Sequence, residues 1–393
     1  MKVRFVGLIF LVATLVVHLA PADAQTSVNC AKGQTITAAL ASGATDIVVI
    51  GTCTESPSVT RSNVTIEGNP AVSTGGAVVG DIFIGGAQNV TIKKLTVTGA
   101  NYGIEVGFGS AATISNTTVQ KAKLEGISVY SGGSARLDHV TVQNNALGID
   151  AFNKGEVRVL DGSLVQNNTG IGILISLGSA GYITDSTIKN NQDNGPGGGI
   201  TVSTGSAANL DHNVISGNHL FGVLVVIGSS AVLTRNTITA TSSTDVAVDV
   251  ERNSTGQFSG GNTFRNTIVG GQALVINYSS SIVQQFGHDI ILGYFNVYDG
   301  STADFNDDEI RSAKTFIGER SIVNFFNFSA NPLNVALTGN TSISQGATLQ
   351  FLKLSNSNKV NVAGNITCFD VESKLAGTQF ANISGNTTTC SQF

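Results

Sequence analysis

The chain contains no tryptophan, one methionine, 5 prolines and 4 cysteines, and only 12% of its 393 residues are charged. With 21 basic against 26 acidic side chains, a net charge of −5, it lacks the positive surface a nucleic acid requires, so no nucleic-acid partner is expected. No G-x-G-x-x-G or G-x-x-x-x-G-K-[ST] run follows a strand pattern, which excludes the usual dinucleotide and P-loop sites. The missing tryptophan removes the strongest sugar-stacking platform, although Tyr102, Tyr130, Phe152 and Tyr182 partly replace it. Scarce charge can signal disorder, but 41% hydrophobic residues are too many for a chain without a core.

What is present begins with an address. Lys2 and Arg4 precede an apolar stretch from Phe5 to Leu19, and Ala22-Asp23-Ala24 supplies a small-x-small cleavage site. Residues 1–24 therefore read as a secretory signal peptide, and a secreted, periplasmic or cell-surface location is expected. No later apolar run reaches the ~20 residues of a membrane span, so none is expected after cleavage. Export makes the cysteines readable. Cys30 with Cys53, and Cys368 with Cys390, are neighbours at opposite ends of the chain, which favours two local disulfides. Metal binding is the rival reading, but no C-x-x-C or nearby histidine accompanies either pair.

A repeat dominates the rest. Gly-apolar-x-apolar recurs at Gly103, Gly126, Gly148, Gly172, Gly199 and Gly222, with spacings of 23, 22, 24, 27 and 23. In step with it, Ile114, Leu137, Val159, Ile183, Leu210 and Leu233 each lie five residues before Val119, Val142, Leu164, Ile188, Ile215 and Ile238. A polar track, Asn145, Asn168, Asn191 and Asn218, keeps the same phase. Short alternating runs between Gly, Asn and Ser turns, without helical period, cannot bury their apolar residues singly and must stack. The expected fold is all-β: a right-handed parallel β-helix with coils of about 23 residues, its asparagines passing amide hydrogen bonds between coils. Gln34–Ala41 reads as a short capping helix before a first strand at Asp46–Ile50. The expected organisation is a cap and first strands in 25–62, regular coils in 63–251, and irregular coils with a terminal cap in 252–393. Within the last, Gly256–Asn266 and Asp299–Glu309 read as longer loops.

Asn29-Cys30-x-x-Gly33-Gln-Thr-Ile, then Gly51-Thr-Cys53-Thr-Glu55, then Asn63-Val-Thr-Ile-x-Gly68, resembles the start of bacterial exported parallel β-helix proteins of the pectin-lyase-like superfamily. That resemblance implies the coil and frequent contact with polysaccharide, but no activity, because lyases, hydrolases, epimerases and adhesins share it. The family's R-x-P-x-x-R, Gly-His-Gly and Arg-Ile-Lys elements are all missing. No catalytic set is recognisable. The expected function is an exported protein contacting polysaccharide, with a divergent polysaccharide lyase or glycoside hydrolase, or an adhesive rod, as alternatives.

Three groups are candidates for chemistry. Two residues beyond the second apolar track, Asn116, His139, Asp161, Asp185, His212 and Arg235 form an exposed column whose histidines and carboxylates could hold a cation or move protons. The competing account is a turn position that selects solvated residues. Glu105, Ser128 and Asp150, the supposedly exposed positions of the Gly-Ile-x-Val strands, form a second column. Arg136 and Arg158 on adjacent coils could meet a uronate or pair with neighbouring acids. Asp304, Asp307, Asp308 and Glu309 are the place where Ca²⁺ could sit, or simply a solvated loop; no other cofactor is implied.

Overall fold

The computed structural model describes residues 25–69, 71, 76–192, 198–286, 289–306, 308–318 and 320–326, with strand segments 334–344, 348–352, 359–363, 366–369, 381–384 and 387–388. The proposed signal sequence and Asp307 lie outside these residues, as does Cys390, and with it the proposed second disulfide.

The chain is a right-handed parallel β-helix. Each coil contributes three short strands, for example Ile104–Gly107, Ala111–Ser115 and Thr118–Gln120, to three faces. We call these the first, second and third faces. The second face is one parallel sheet of 15 strands. The first and third are separate along most of the rod and merge where the 9-residue strand Glu309–Ile317 and the 11-residue strand Asn334–Ser344 run through both. Register follows the repeat residue for residue: Ile104 pairs with Ile127, then Ile149, Ile173, Ile200 and Val223. These side chains are fully buried. Each contributes roughly 1.5–3 kcal/mol of apolar burial.

One position of the second track is corrected. Val165, not Leu164, occupies the core beside Val142 and Ile188. Asp161 and Gly162 both take positive φ (48° and 75°), and Ser163 follows, so this turn holds one more residue than its neighbours. A one-residue shift in a strand exchanges the two faces.

Polar ladders close the turns. Asn145 Nδ2 donates to Asn168 Oδ1 at 3.1 Å, Asn168 to Asn191 at 2.8 Å, and Asn191 to Asn218 at 3.0 Å. The same oxygens accept the backbone N–H of the preceding asparagine. This ladder explains the glycine of Gly-Ile-x-Val. A Cβ on Gly172 would stand 2.7 Å from Asn191 Nδ2 and 2.7 Å from the Gly199 carbonyl. A second ladder, unread in the sequence, runs Asn213, Asn236, Asn262 and then Asp289. A third is built of serine hydroxyls: Ser206, Ser229, Ser254, Ser280, Ser301 and Ser321 each accept the N–H of the serine one coil earlier, all at 3.2 Å.

The amino end is capped by the helix Ile36–Ala41, whose Thr35 hydroxyl accepts the Ala38 N–H. Glu55 then receives the Ile36 and Thr37 N–H groups at 2.7 and 2.9 Å, placing a carboxylate at the positive end of the helix. The disulfide Cys30–Cys53, with Cα atoms 5.1 Å apart, ties the same segment to the first coil.

The two proposed loops are strands. Thr255–Ser259 and Thr263–Asn266 belong to the second and third faces, and Thr302–Asn306 and Glu309–Ile317 continue the stack. Their inward residues had been hidden by a change of residue type. Phe258, Phe264, Phe295 and Phe305 are fully buried where earlier coils use Ile, Val or Leu. Phe258 meets Phe264 at 4.9 Å between ring centres, and Phe295 meets Phe305 at 5.4 Å.

Candidate functional site

The histidine column occupies the tight turn between the second and third faces. Asn116, His139, Asp161, Asp185, His212 and Arg235 all have φ between 47° and 56°, the left-handed region in which short polar residues are tolerated best. Most of their side chains pair with neighbouring groups at the surface. His139 Nδ1 lies 2.6 Å from Asp138 and His212 Nδ1 lies 2.5 Å from Asp185. Arg235 grips both oxygens of Asp211 at 3.0 and 2.6 Å. The arginines pair in the same way: Arg136 sits 3.7 Å from Asp161 and 3.9 Å from Asp138, and Arg158 sits 2.8 Å from Glu156. The column reads as solvated turn chemistry. Exposed pairs of this kind contribute little, so His139→Ala and Asp185→Ala are each expected to melt within about 2 °C of the parent in a thermal scan. A larger drop would mean that the column is part of the folding framework.

The acidic stretch does not gather into a cation cage among the described residues. Asp304 pairs across to Asn324 on the next strand of the second face, whose Nδ2 donates to it at 2.8 Å. Asp308 is buried in a turn, where its Oδ1 accepts the Asp289 N–H at 2.9 Å. Glu309 pairs with Arg311. The only described group whose ligand atoms converge is Cys30, Cys53 and Glu55, and there the sulfurs form the disulfide.

The outer surface of the first face is different. Register places Phe83, Glu105, Ser128, Asp150, Leu174, Thr201, Leu224, Asp249, Val275, Asn296 and Phe316 in one column. The sequence reading took this position as exposed, and the structure corrects it. Ser128 is 1%, Asp150 9%, Thr201 3% and Asp249 7% exposed. Alternation fixes which side chains point outward, but large neighbours decide whether outward means wet. From Phe83 at the head of the column, Phe108, Tyr130 and Phe152 continue an aromatic row with ring centres 6.2, 5.6 and 5.3 Å apart, the last pair stacked at 12°.

Burial, reinforced by Glu125, raises the Asp150 carboxyl to about 7. Burial, reinforced by Glu251, raises Asp249 to about 8. Burial, with Asp81 and Glu125 nearby, also raises Glu105. One oxygen each of Asp150, Asp249 and Glu125, and the Thr201 hydroxyl, are buried without a hydrogen-bond partner.

Towards the carboxyl end, the same surface opens into a hollow of about 400 Å³. Tyr294, Tyr298 and Phe316 form its aromatic lining, and Gly270 also lines it. Phe316 meets Tyr298 edge-on at 6.1 Å, and Lys314 Nζ stands 5.6 Å over the Tyr294 ring. Asn296 Nδ2 donates to Gln272 at 3.4 Å, which leaves amide groups of both residues in the lining. Burial, with Asp249 as the first charged neighbour, pushes the Tyr298 phenol up to about 12, so it remains a hydroxyl donor. These residues were missed in the sequence because they lie where the repeat blurs.

A family model described as a right-handed β-helix region matches residues 80–238, which is less than half of the chain. No curated protein matches the chain.

Proposed function

We propose that this protein is an exported β-helix that binds polysaccharide along the outer surface of its first face. The observation that carries the reading is the hollow at Tyr294, Tyr298 and Phe316. There, aromatic faces stand beside amide groups of Gln272 and Asn296 and one ammonium group, Lys314. Sugar rings present apolar faces for stacking and hydroxyl groups for such donors and acceptors. The column that continues from it along the rod offers a polymer more than one subsite. The signal-like start supports a secreted, periplasmic or cell-surface location, and the cap motif supports the pectin-lyase-like superfamily as its source. Retention of the purified protein on immobilised neutral polysaccharides and uronans is the test. Tyr294→Ala and Lys314→Ala are each expected to weaken retention about tenfold. No retention on any polymer, or equal retention by both variants, would remove the proposal.

A second reading, a divergent glycoside hydrolase or lyase, is favoured by Asp150 and Asp249, because a carboxyl that keeps its proton near neutrality suits a general acid. Release of reducing ends or unsaturated products, abolished in Asp150→Asn or Asp249→Asn, would establish it.

A further inference from the structure

The amino-terminal part of the first face differs in chemistry from the hollow. Burial, with the charges of Asp81 and Glu125, raises Glu105; burial, with Glu125, raises Asp150; and burial, with Glu105 and Glu125 nearby, raises Tyr102 and Tyr130. Glu105 and Asp150 share the outward column, two coils apart, with Ser128 between them. Glu125 begins the intervening strand, Glu125–Tyr130. Tyr130 turns its hydroxyl toward Glu105 at 3.5 Å. Asp81 is spoken for by the Ala100 and Asn101 N–H groups at 2.9 and 3.3 Å. Among the described residues, no backbone N–H donates to the carboxylates of the other three.

Two facts point to a cationic ligand. First, no Lys, Arg or His among the described residues pairs with Glu105, Glu125 or Asp150, whereas the acids on the second face are matched at every turn. Secondly, Asp150 is about nine-tenths buried with one carboxylate oxygen lacking any partner, and a Glu125 oxygen beside it is also unpartnered. A buried acceptor without a donor is costly to keep, so a ligand that supplies the donors has free energy to gain. Three ligand atoms of these carboxylates do not converge within 4.8 Å, which argues against a bare metal ion and for a group carrying several N–H bonds. The flanking row Phe83–Phe108–Tyr130–Phe152 supplies flat apolar surface and negative ring faces for a cation's carrier.

We propose that this part of the face binds a glycan bearing free primary ammonium groups, with Glu105, Glu125 and Asp150 receiving the ammonium and the aromatic row stacking on the sugar rings. The assignment rests on the polysaccharide reading above and narrows it to an amino-sugar polymer. It reverses the uronate expectation attached to Arg136 and Arg158, since the arginines are neutralised on another face.

The test uses the purified full chain and titration calorimetry with four probes: a de-N-acetylated glucosamine oligosaccharide, its N-acetylated counterpart, a neutral glucan oligosaccharide, and spermidine. The glucosamine oligosaccharide should bind, with affinity falling as salt rises. Asp150→Asn and Glu125→Gln, both nearly isosteric and checked for fold by circular dichroism, should each weaken it about tenfold or more. Equal binding of the N-acetylated oligosaccharide, or unchanged affinity in both carboxamide variants, would overturn the proposal. Spermidine binding as tightly, with the same dependence on Asp150 and Glu125, would overturn the glycan part. Neutral glucan bound through Tyr294, with no glucosamine binding, would sink this inference and leave the broader reading standing. No binding of any sugar probe would sink both.

Discussion

Between pH 8 and pH 5 the protein is expected to become more stable, by on the order of 5 kcal/mol, through two carboxyl groups on one face. Asp150 and Asp249 have folded-state values of about 7 and about 8, both raised by burial, against the ordinary carboxylate value of 3.8. A raised acid value means that the folded chain binds the proton more tightly than the unfolded chain. Stability is therefore lost as pH climbs through 7 and 8 and is regained as it falls toward about 4. Glu67, lowered by its bonds to Lys93 and Lys94 against the opposing effect of burial, acts in the reverse sense and only in more acidic solution. Melting temperatures from pH 5 to pH 8 check this. Asp150→Asn and Asp249→Asn should each flatten the profile and raise stability at pH 8. A profile that is flat in the parent would show that both carboxyls are solvated. Ligand bound at Asp150 should lower the carboxyl's proton affinity, so the flattening would also appear on adding a cation that fits.

Removing one rung of the first asparagine ladder should cost about 3–5 kcal/mol. Asn168 accepts two hydrogen bonds from Asn145, from its N–H and its Nδ2, and donates to the Val142 carbonyl and to Asn191 Oδ1. All of these groups are buried. Asn168→Ala breaks four bonds and leaves the buried Asn145 N–H without its acceptor. Asn168→Asp keeps the acceptor but sets a carboxylate oxygen against Asn191 Oδ1, so it should fare no better. Denaturant unfolding measures both. A loss below about 1 kcal/mol in Asn168→Ala would mean that water enters the turn and replaces the amide.

The ladder was legible in the sequence for the same reason that it is costly to break. A buried amide must find its partner on the next coil, so Asn145, Asn168, Asn191 and Asn218 repeat at constant phase. The glycines of Gly-Ile-x-Val repeat because those amides press on them. The second ladder escaped notice because Asn213, Asn236, Asn262 and Asp289 drift in spacing and end in a different residue type. The serine ladder escaped because serine is common in any turn. Leu164 was misplaced because counting from Val159 assumed a turn of constant length. The candidate site was legible only in part. Register correctly aligned Glu105, Ser128 and Asp150, but alternation carries no information about what lies beside an outward side chain. Burial there depends on Tyr130 and Phe152 in neighbouring positions, and the hollow at Tyr294 depends on residues whose inward partners had changed to phenylalanine.

The ladders also give the rod an arrow. In the asparagine and serine stacks alike, the backbone N–H of one coil donates to the side chain of the coil that follows it in the chain. Cutting the rod leaves unequal wounds. At these rungs the half that ends at the cut exposes backbone N–H donors whose side-chain acceptors are gone, whereas the half that begins there exposes side-chain oxygens together with amide N–H groups that had reached carbonyls of the preceding coil. At each rung the backbone N–H is thus satisfied by the coil that comes next, so a chain that stacks from its amino end always carries one unfinished rung at the growing tip.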